Sequence, residues 1–170
     1  MVFQDNNSER AEAYRVLADL FSKVPDEEVL KTMKEDFGLE SKETADAIST
    51  DFISLFEYPD GKLQPVESLY IQPPNNPSAE VNEFYNSAGL TIDEEFHYIP
   101  DHLSLEFLFM SYLIDNNMLD LQKIFLEEHI MNWVPYYGDR IKEQAQTVFY
   151  REIAEITMDF LTSDYEEIIE

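Results

Sequence analysis

Apolar residues recur at intervals of three and four along almost the whole chain, which places them on one face of an α-helix. A typical set is Ala45, Ile48, Phe52, Leu55 and Phe56. No window alternates apolar and polar residues for long enough to predict a β-strand. The pattern therefore predicts an all-α protein, in which seven to eight helices form a single domain over residues 1–170.

Polar residues, glycines and prolines mark the expected helix ends. The predicted N-caps, each of which precedes an apolar-periodic stretch, are Ser8, Ser41 and Ser78, and Pro25-Asp26 is predicted to open the second helix. Gly38 is predicted to end the second helix, with Phe37 turned inward. Pro135 is predicted to stop a helix that begins near Leu119. The acidic tail, residues 163–170, fits a continued helix and a mobile end equally well.

Residues 103–114 are apolar on nearly every face of a helix, which predicts a helix in the middle of the core. Pro100 disfavours helical backbone in the residue before it, and Asp101 is predicted to cap the first free N–H groups. His102 lies beside that cap, and Glu106 lies one turn further on the same face. The central helix therefore opens with an acid–imidazole–acid cluster, where function is expected.

A proline-rich segment, residues 58–78, breaks the helical pattern and holds five of the eight prolines. A loop of about twenty residues inside a domain is unusual, and it is commonly functional or disordered. Its apolar residues indicate that it packs down; they are Leu63, Val66, Leu69, Tyr70 and Ile71. If the loop lies over the start of the central helix, the carboxylates of Asp101 and Glu106 stand beside an apolar groove.

The net charge of −25 narrows the possible partners. Nucleic acid and anionic membrane surfaces both need a basic face, so neither is expected. A basic partner would be steered toward this surface, although the charge also fits a protein that is merely kept soluble. No apolar run approaches the roughly 18 residues of a membrane span, and the polar N-terminus resembles no signal or transit peptide. Without cysteine there is no disulfide or thiolate site, and a cytoplasmic location is expected.

The chemistry of Asp101, His102 and Glu106 has several interpretations. An imidazole and a carboxylate four residues apart can share a metal ion, and a carboxylate can orient an imidazole for acid–base catalysis. Carboxylates at a pocket mouth can instead accept paired hydrogen bonds from arginine. The plainest alternative is a helix cap with satisfied polar contacts. No catalytic or metal-binding residue is predicted, and His129 and Trp133 are interpreted as ordinary packing residues.

Residues 100–110, Pro-Asp-His-Leu-Ser-Leu-Glu-Phe-Leu-Phe-Met, resemble the signature of the TorD/DmsD/NarJ family of redox-enzyme maturation chaperones. Further segments resemble family motifs in order and spacing; they are residues 15–21, 51–56, 65–70 and 125–135, followed by 149–150. Each motif alone is weak, but the ordered set covers roughly residues 10–162. Ser22 and Val66 depart from the residues of some members, which leaves the leader specificity open.

The resemblance implies an all-helical, TorD-like chaperone rather than an enzyme, with no cofactor of its own. Such proteins bind the N-terminal leader of a molybdopterin oxidoreductase subunit, often a twin-arginine signal, and hold the subunit in the cytoplasm until its cofactor is loaded. The implied partners are that leader and the catalytic subunit. The peptide-binding residues that match family motifs are Pro65, Ser68, Tyr70, Pro100, Asp101 and His102. Glu106 joins them because a basic leader needs carboxylates beside an apolar groove.

Two other classes of function stay open at this point. One is a metal-dependent hydrolase that uses Asp101, His102 and Glu106. The other is an acidic adaptor that binds basic segments without sequence preference. The oligomeric state is expected to be a monomer or a helix-swapped dimer, which long loops permit.

Overall fold

The computed structural model describes residues 2–92 and 99–170, and within these ranges the chain forms eight α-helices and no β-strand. The helices are α1 (Val2–Ser22), α2 (Glu27–Phe37), α3 (Ala45–Phe56), α4 (Pro77–Ser87), α5 (Leu103–Asp115), α6 (Leu119–Phe125), α7 (Met131–Gln144) and α8 (Val148–Ile169). A 3-10 turn covers Glu67–Leu69, and a π-helical turn at Leu126–Ile130 joins α6 to α7. The all-α class with seven to eight helices is therefore confirmed for the described ranges. None of these helices has both the length and the apolar character needed to cross a membrane.

Helix α5 lies at the centre of the hydrophobic core, as its sequence predicts. Leu103, Phe107 and Met110 are fully buried, and α1 packs along the length of α5. Tyr14 and Phe21 of α1 approach Phe107 with ring centroids 5.8 and 6.3 Å apart. Aromatic pairs in tilted geometry at this spacing add about 0.5–1.5 kcal/mol beyond area burial. The start of α5 is therefore fixed in position by its packing against α1.

The ends of α2 confirm two sequence predictions. The side chain of Asp26 accepts the N–H of Val29 at 2.8 Å, which satisfies one free donor of the first turn. Gly38 has a φ of +60°, in the left-handed region that glycine adopts without steric cost. The inward position predicted for Phe37 is wrong: this last residue of α2 is 47% exposed, beyond the face buried through Met33.

Three predicted N-caps are wrong, and they are Ser8, Ser41 and Ser78. Helix α1 already runs through the first of these from Val2. Helices α3 and α4 are capped by Thr44 and Asn76, whose side-chain oxygens accept N–H groups three residues further on. Pro77 occupies the first helical position of α4, where its fixed φ is favourable, so the helix starts earlier than a Ser78 cap would allow.

Helices α6 and α7 form one continuous run through the π turn, and Pro135 lies inside α7. The predicted stop at Pro135 is therefore wrong. Because i→i+5 bonding in the π turn already interrupts the regular ladder just upstream, a missing proline N–H disrupts less structure there. The residues that face inward across this junction are Phe125, His129, Trp133 and Tyr137.

Helix α8 continues to Ile169, so the acidic tail is the end of this helix. Its Asp164 is buried and accepts hydrogen bonds from the guanidinium of Arg10 and from the hydroxyl of Tyr14, the latter at 2.7 Å. The same guanidinium donates to Gln122 Oε1 at 3.1 Å. These four residues, the Arg10 network, tie α1, α6 and α8 together inside the molecule.

Candidate functional site

The proline-rich loop packs directly over the start of α5. The N–H of Leu103 donates to the carbonyl of Pro65 at 2.8 Å, and the N–H of Glu67 donates to the carbonyl of Asp101 at 3.0 Å. An isolated antiparallel bridge joins the same two segments. The proximity of loop and helix start that the sequence suggested is therefore confirmed.

Asp101 is fully buried, and its carboxylate binds the loop instead of capping α5. Its Oδ2 accepts the N–H of Ser68 at 2.7 Å, while its Oδ1 has no hydrogen-bond partner among the described residues. The N-cap is His102, whose Nδ1 lies 3.2 Å from the N–H and 2.8 Å from the hydroxyl of Ser104. The predicted Asp101 cap is wrong because a loop N–H takes its carboxylate. Burial lowers the pKa of His102 to about 4, so the imidazole is neutral at pH 7.

Glu106 is also fully buried, and its carboxyl faces a second acid. Trp133 Nε1 donates to Glu106 Oε1 at 3.1 Å, and Oε2 has no donor in the described part of the chain. Burial, together with the carboxylate of Glu67 within hydrogen-bonding reach, raises the pKa of Glu106 well above its usual value. Glu106 thus holds a proton at pH values where surface carboxyls have lost theirs.

Glu67, in the 3-10 turn, lies at the centre of these contacts. Its two carboxylate oxygens lie 2.9 and 3.2 Å from Nδ1 of His129 in the π turn, and both side chains are buried. Glu67, Asp101, Glu106, His129 and Trp133 are called the buried acid cluster below. This cluster joins the loop, the first turn of α5 and the run from the π turn into α7.

The acid–imidazole–acid cluster expected from the sequence does not form. Asp101, His102 and Glu106 each bond to a different partner, and none of the three is hydrogen-bonded to another. Both carboxyls are 0% exposed, so the expectation that they line an open pocket mouth is not met in this conformation. Within residues 2–92 and 99–170, no group of three or more His, Asp or Glu side chains is arranged to hold a metal ion. The geometry favours neither the metal site nor the acid–base pair.

The remaining predicted site residues surround the buried acid cluster. The ring of Tyr70 stacks on Trp133, with centroids 5.4 Å apart and an interplanar angle of 14°. The carbonyl of Pro100 accepts the hydroxyl of Tyr85 at 2.7 Å, and Ser68 is exposed on the 3-10 turn. The structure therefore brings all seven predicted residues to one region, around the 3-10 turn and the first turn of α5.

An apolar groove of about 490 Å³ opens beside the same turn of α5. Helix α1 lines it with Arg15, Ala18 and Asp19, and α5 lines it from Ser104 onward. Leu108 is 44% exposed here, which breaks the otherwise buried pattern of α5. The apolar side chains that line the groove are Tyr85, Leu90, Ile92, Leu105, Leu108 and Phe109. An open apolar concavity of this size is typical of a ligand or peptide site.

Comparison with known protein families shows to which family this chain belongs. The family model described as "Nitrate reductase delta subunit" matches residues 6–137. The chain belongs to the nitrate reductase delta subunit family. The resemblance to the TorD/DmsD/NarJ chaperones that the sequence motifs indicated is therefore confirmed.

Curated relatives of this family member carry chaperone names. The perchlorate reductase assembly chaperone protein of Dechloromonas aromatica (strain RCB) is 26% identical over 117 residues, which cover 61% of this chain and 52% of that protein. The chaperone protein TorD of Vibrio parahaemolyticus is 26% identical over 69% of this chain and 62% of its own length. A TorD chaperone of Psychrobacter sp. (strain PRwf-1) is 23% identical, with 95% and 92% covered. The chain thus spans 52% and 62% of the first two relatives, and none of the three is named as an enzyme.

The sequence did not identify two residues at the centre of this region. Glu67 was not predicted as a site residue, and His129 was interpreted only as a packing residue. Glu67 sits between Val66 and Ser68, and no local pattern shows that its side chain turns inward. His129 precedes Trp133 by four positions, which places both on one face of a helix. This spacing could have predicted that the two side chains lie in the same part of the core.

Proposed function

We propose that this protein is a cytoplasmic assembly chaperone for a molybdopterin oxidoreductase. It binds the N-terminal leader of the catalytic subunit and holds that subunit while its cofactor is loaded, before export. The observation that carries the proposal is the apolar groove beside α5 in a chain of the nitrate reductase delta subunit family. The chaperone names of its relatives support the same role.

A twin-arginine leader is a basic segment followed by an apolar one, and the two ends need different surfaces. The apolar run binds in the groove, where burial contributes roughly 25 cal/mol per Å². The net charge of −25 attracts the basic end over a screening length of about 8 Å at physiological salt. A surface of this kind therefore suits both parts of the leader.

The residues proposed from the sequence take two kinds of role in this mechanism. Ser104 lines the groove and contacts His102, so His102 orients a hydroxyl toward the leader. Asp101 and Glu106 act from the interior, because their buried carboxyls hold the loop and α7 against the start of α5. The surrounding surface is shaped by Pro65, Ser68, Tyr70 and Pro100.

A charge placed in the groove tests this proposal. The probe is a synthetic peptide in which two adjacent arginines precede an apolar run, with its binding measured by calorimetry. Leu108→Asp is expected to weaken binding about tenfold or more, which corresponds to at least about 1.4 kcal/mol. Ile53→Asp is the matched control, because Ile53 is a similarly exposed apolar residue on α3 outside the groove lining. Equal binding by the two variants would contradict the proposal.

Salt dependence separates this chaperone from a non-specific acidic adaptor. Binding by charge alone is largely screened at about 0.5 M salt, where the Debye length is only a few ångströms. Burial of the apolar run in the groove is not screened, so much of the affinity is expected to survive. Complete loss of peptide binding at that salt concentration would favour the adaptor.

A further inference from the structure

Helices α1 and α5 line two sides of the apolar groove, and they run antiparallel. Phe107 of α5 contacts the rings of Tyr14 and Phe21 of α1, with centroids 5.8 and 6.3 Å apart. Arg15 Nη1 donates to Oδ2 of Asp115, the last residue of α5, at 3.0 Å. The end of α5 therefore lies toward the start of α1, and the start of α5 lies toward the end of α1.

This arrangement gives the apolar groove two different ends. At one end Arg15 lines the groove and donates to Glu12 and Asp115, so an ion-paired guanidinium joins the two helices there. At the other end the groove is lined by Ser22, the last residue of α1, and by Ser104 in the first turn of α5. They are called the arginine end and the serine end below.

Asp19 is the one acidic side chain that lines the groove among the residues that the structure describes. It lies one turn from Arg15 along α1, on the side of the serine end. Its side chain is 51% exposed, and its contact with the exposed Lys23 is long, at 3.7 Å. An exposed ion pair of this kind contributes little, so a basic ligand can displace the lysine. The groove therefore attracts a cation near Asp19 and opposes one beside Arg15.

We propose that the leader lies in the groove in one orientation, with its basic segment at the serine end and its apolar run toward the arginine end; this inference rests on the proposed function. The carboxylate of Asp19 accepts hydrogen bonds from a leader arginine in place of Lys23. The Ser22 hydroxyl donates to the carbonyl of Asp19 at 3.0 Å and keeps its lone pairs for further N–H groups of that arginine. Like-charge repulsion by Arg15 opposes the reversed placement.

The chain contains no cysteine, so a disulfide can report which end of the groove takes the basic segment. Ser22→Cys places a thiol at the serine end, and Asn116→Cys places one beside Asp115 at the arginine end. Both replaced residues are exposed, and neither substitution changes the charge. The probe is the two-arginine peptide with a single cysteine directly before the arginines, and disulfide formation is followed by mass spectrometry.

The peptide is expected to crosslink to Ser22→Cys about tenfold faster than to Asn116→Cys, because binding raises the local concentration of its thiol at one end only. A second peptide, with its cysteine after the apolar run, is expected to show the opposite preference. Arg15→Gln, introduced into both cysteine variants, is expected to reduce both preferences because it removes the repulsion.

A calorimetric cycle tests the role of Asp19 separately. Asp19→Asn is titrated with the arginine peptide and with a version that carries citrulline, the neutral isostere of arginine, at both positions. We expect about threefold weaker binding of the arginine peptide and unchanged binding of the citrulline peptide. Asp46→Asn is the matched control, because it removes the same charge from an exposed position of α3 outside the groove lining.

The other outcomes contradict the orientation or the proposed function. Equal crosslinking at the two positions would overturn the single orientation and leave the proposed function intact. Faster crosslinking of the first peptide to Asn116→Cys would show the reversed orientation, with the leader arginines at Glu12 and Asp115. Equal weakening of the arginine and citrulline peptides by Asp19→Asn would show that Asp19 does not bind the guanidinium. Absence of any peptide binding to the unmodified protein would overturn the proposed function as well.

Discussion

Two buried groups of charged residues hold helices together in this protein, and they balance their charges differently. In the Arg10 network, the carboxylate of Asp164 meets a guanidinium and the hydroxyl of Tyr14, so its charge is compensated. The buried acid cluster holds three carboxyls and one histidine, and only Glu67 contacts that histidine. Asp101 Oδ1 and Glu106 Oε2 have no donor among the residues that the structure describes.

The Arg10 network is a structural contact, whereas the buried acid cluster keeps carboxyl oxygens that have no hydrogen-bond donor among the described residues. Removing one partner of a compensated buried pair leaves a bare charge, so such a pair acts as a tie between helices. An excess of buried acids shifts pKa values, and clusters of that kind concentrate at functional sites. In this molecule the excess lies beneath the loop that meets the start of α5.

The largest expected effect comes from breaking the compensated group. Arg10→Ala leaves the Asp164 carboxylate buried without its cation, and we expect a loss of about 3–5 kcal/mol in the free energy of unfolding. Urea denaturation followed by circular dichroism measures this loss. Arg15→Ala is the control, since the Arg15 pairs with Glu12 and Asp115 are exposed and worth only about 0–1 kcal/mol. Similar losses in the free energy of unfolding for the two variants would show that the Arg10 network stabilises the fold no more than an exposed ion pair does.

A smaller effect is expected in the buried acid cluster. Glu106→Ala leaves Trp133 Nε1 without an acceptor and opens a cavity, at a cost of about 2–3 kcal/mol. Glu106→Gln keeps an acceptor for Trp133 in a neutral side chain of nearly the same shape, so it is expected to stay within about 1 kcal/mol of the unmodified protein at pH 7. Equal destabilisation by the two variants, measured by urea denaturation, would contradict a protonated Glu106.

The pH dependence of the free energy of unfolding tests the direction of the Glu106 pKa shift. Its pKa is raised in the folded state, so above the ordinary value of about 4.5 the folded protein keeps a proton that the unfolded chain has lost. Stability from this group is therefore highest at low pH and falls as pH rises toward the folded pKa. Glu106→Gln removes that slope, and an unchanged slope would contradict the shifted pKa.

The smallest effect concerns His102, whose pKa is lowered to about 4 by burial. Between the ordinary value of about 6.5 and this lower one, the unfolded chain binds a proton that the folded protein does not, so stability falls as pH falls. His102→Asn keeps an N-cap acceptor without titrating. We expect the variant to gain up to about 2 kcal/mol on the unmodified protein between pH 7 and pH 5. Parallel stability curves for the two proteins would rule out the lowered pKa.

The helical class and the central position of α5 could be predicted because both are encoded locally. Apolar spacing gives the helix period, and an apolar residue on every face of residues 103–114 gives burial. Leu108 shows the limit of that inference, since the groove leaves it 44% exposed. Which face of a buried helix meets a cavity depends on the helices that pack against it.

The contact of the proline-rich loop with the start of α5 could be predicted from the sequence, but the side-chain contacts inside this region could not. Asp101 was expected to cap its own helix, yet it binds Ser68, which lies 33 positions earlier in the chain. Glu67 and His129 are 62 positions apart. A polar residue at a helix start has the same local pattern whether it faces solvent or a distant loop, so exposure at such positions is set by tertiary contacts. The wrong caps at Ser41 and Ser78 have a related cause, because several neighbouring polar residues can serve as caps.

The π turn at residues 126–130 lets the α6–α7 run hold one residue more than a regular α-helix of the same span. Each residue of an α-helix advances the side-chain direction by roughly 100°, and the wider turn absorbs the extra residue, so Phe125 before it and Trp133 after it both point into the core. Deleting one residue here would leave a regular helix with α7 in nearly the same phase. The change would fall on the turn itself, where His129 contacts Glu67.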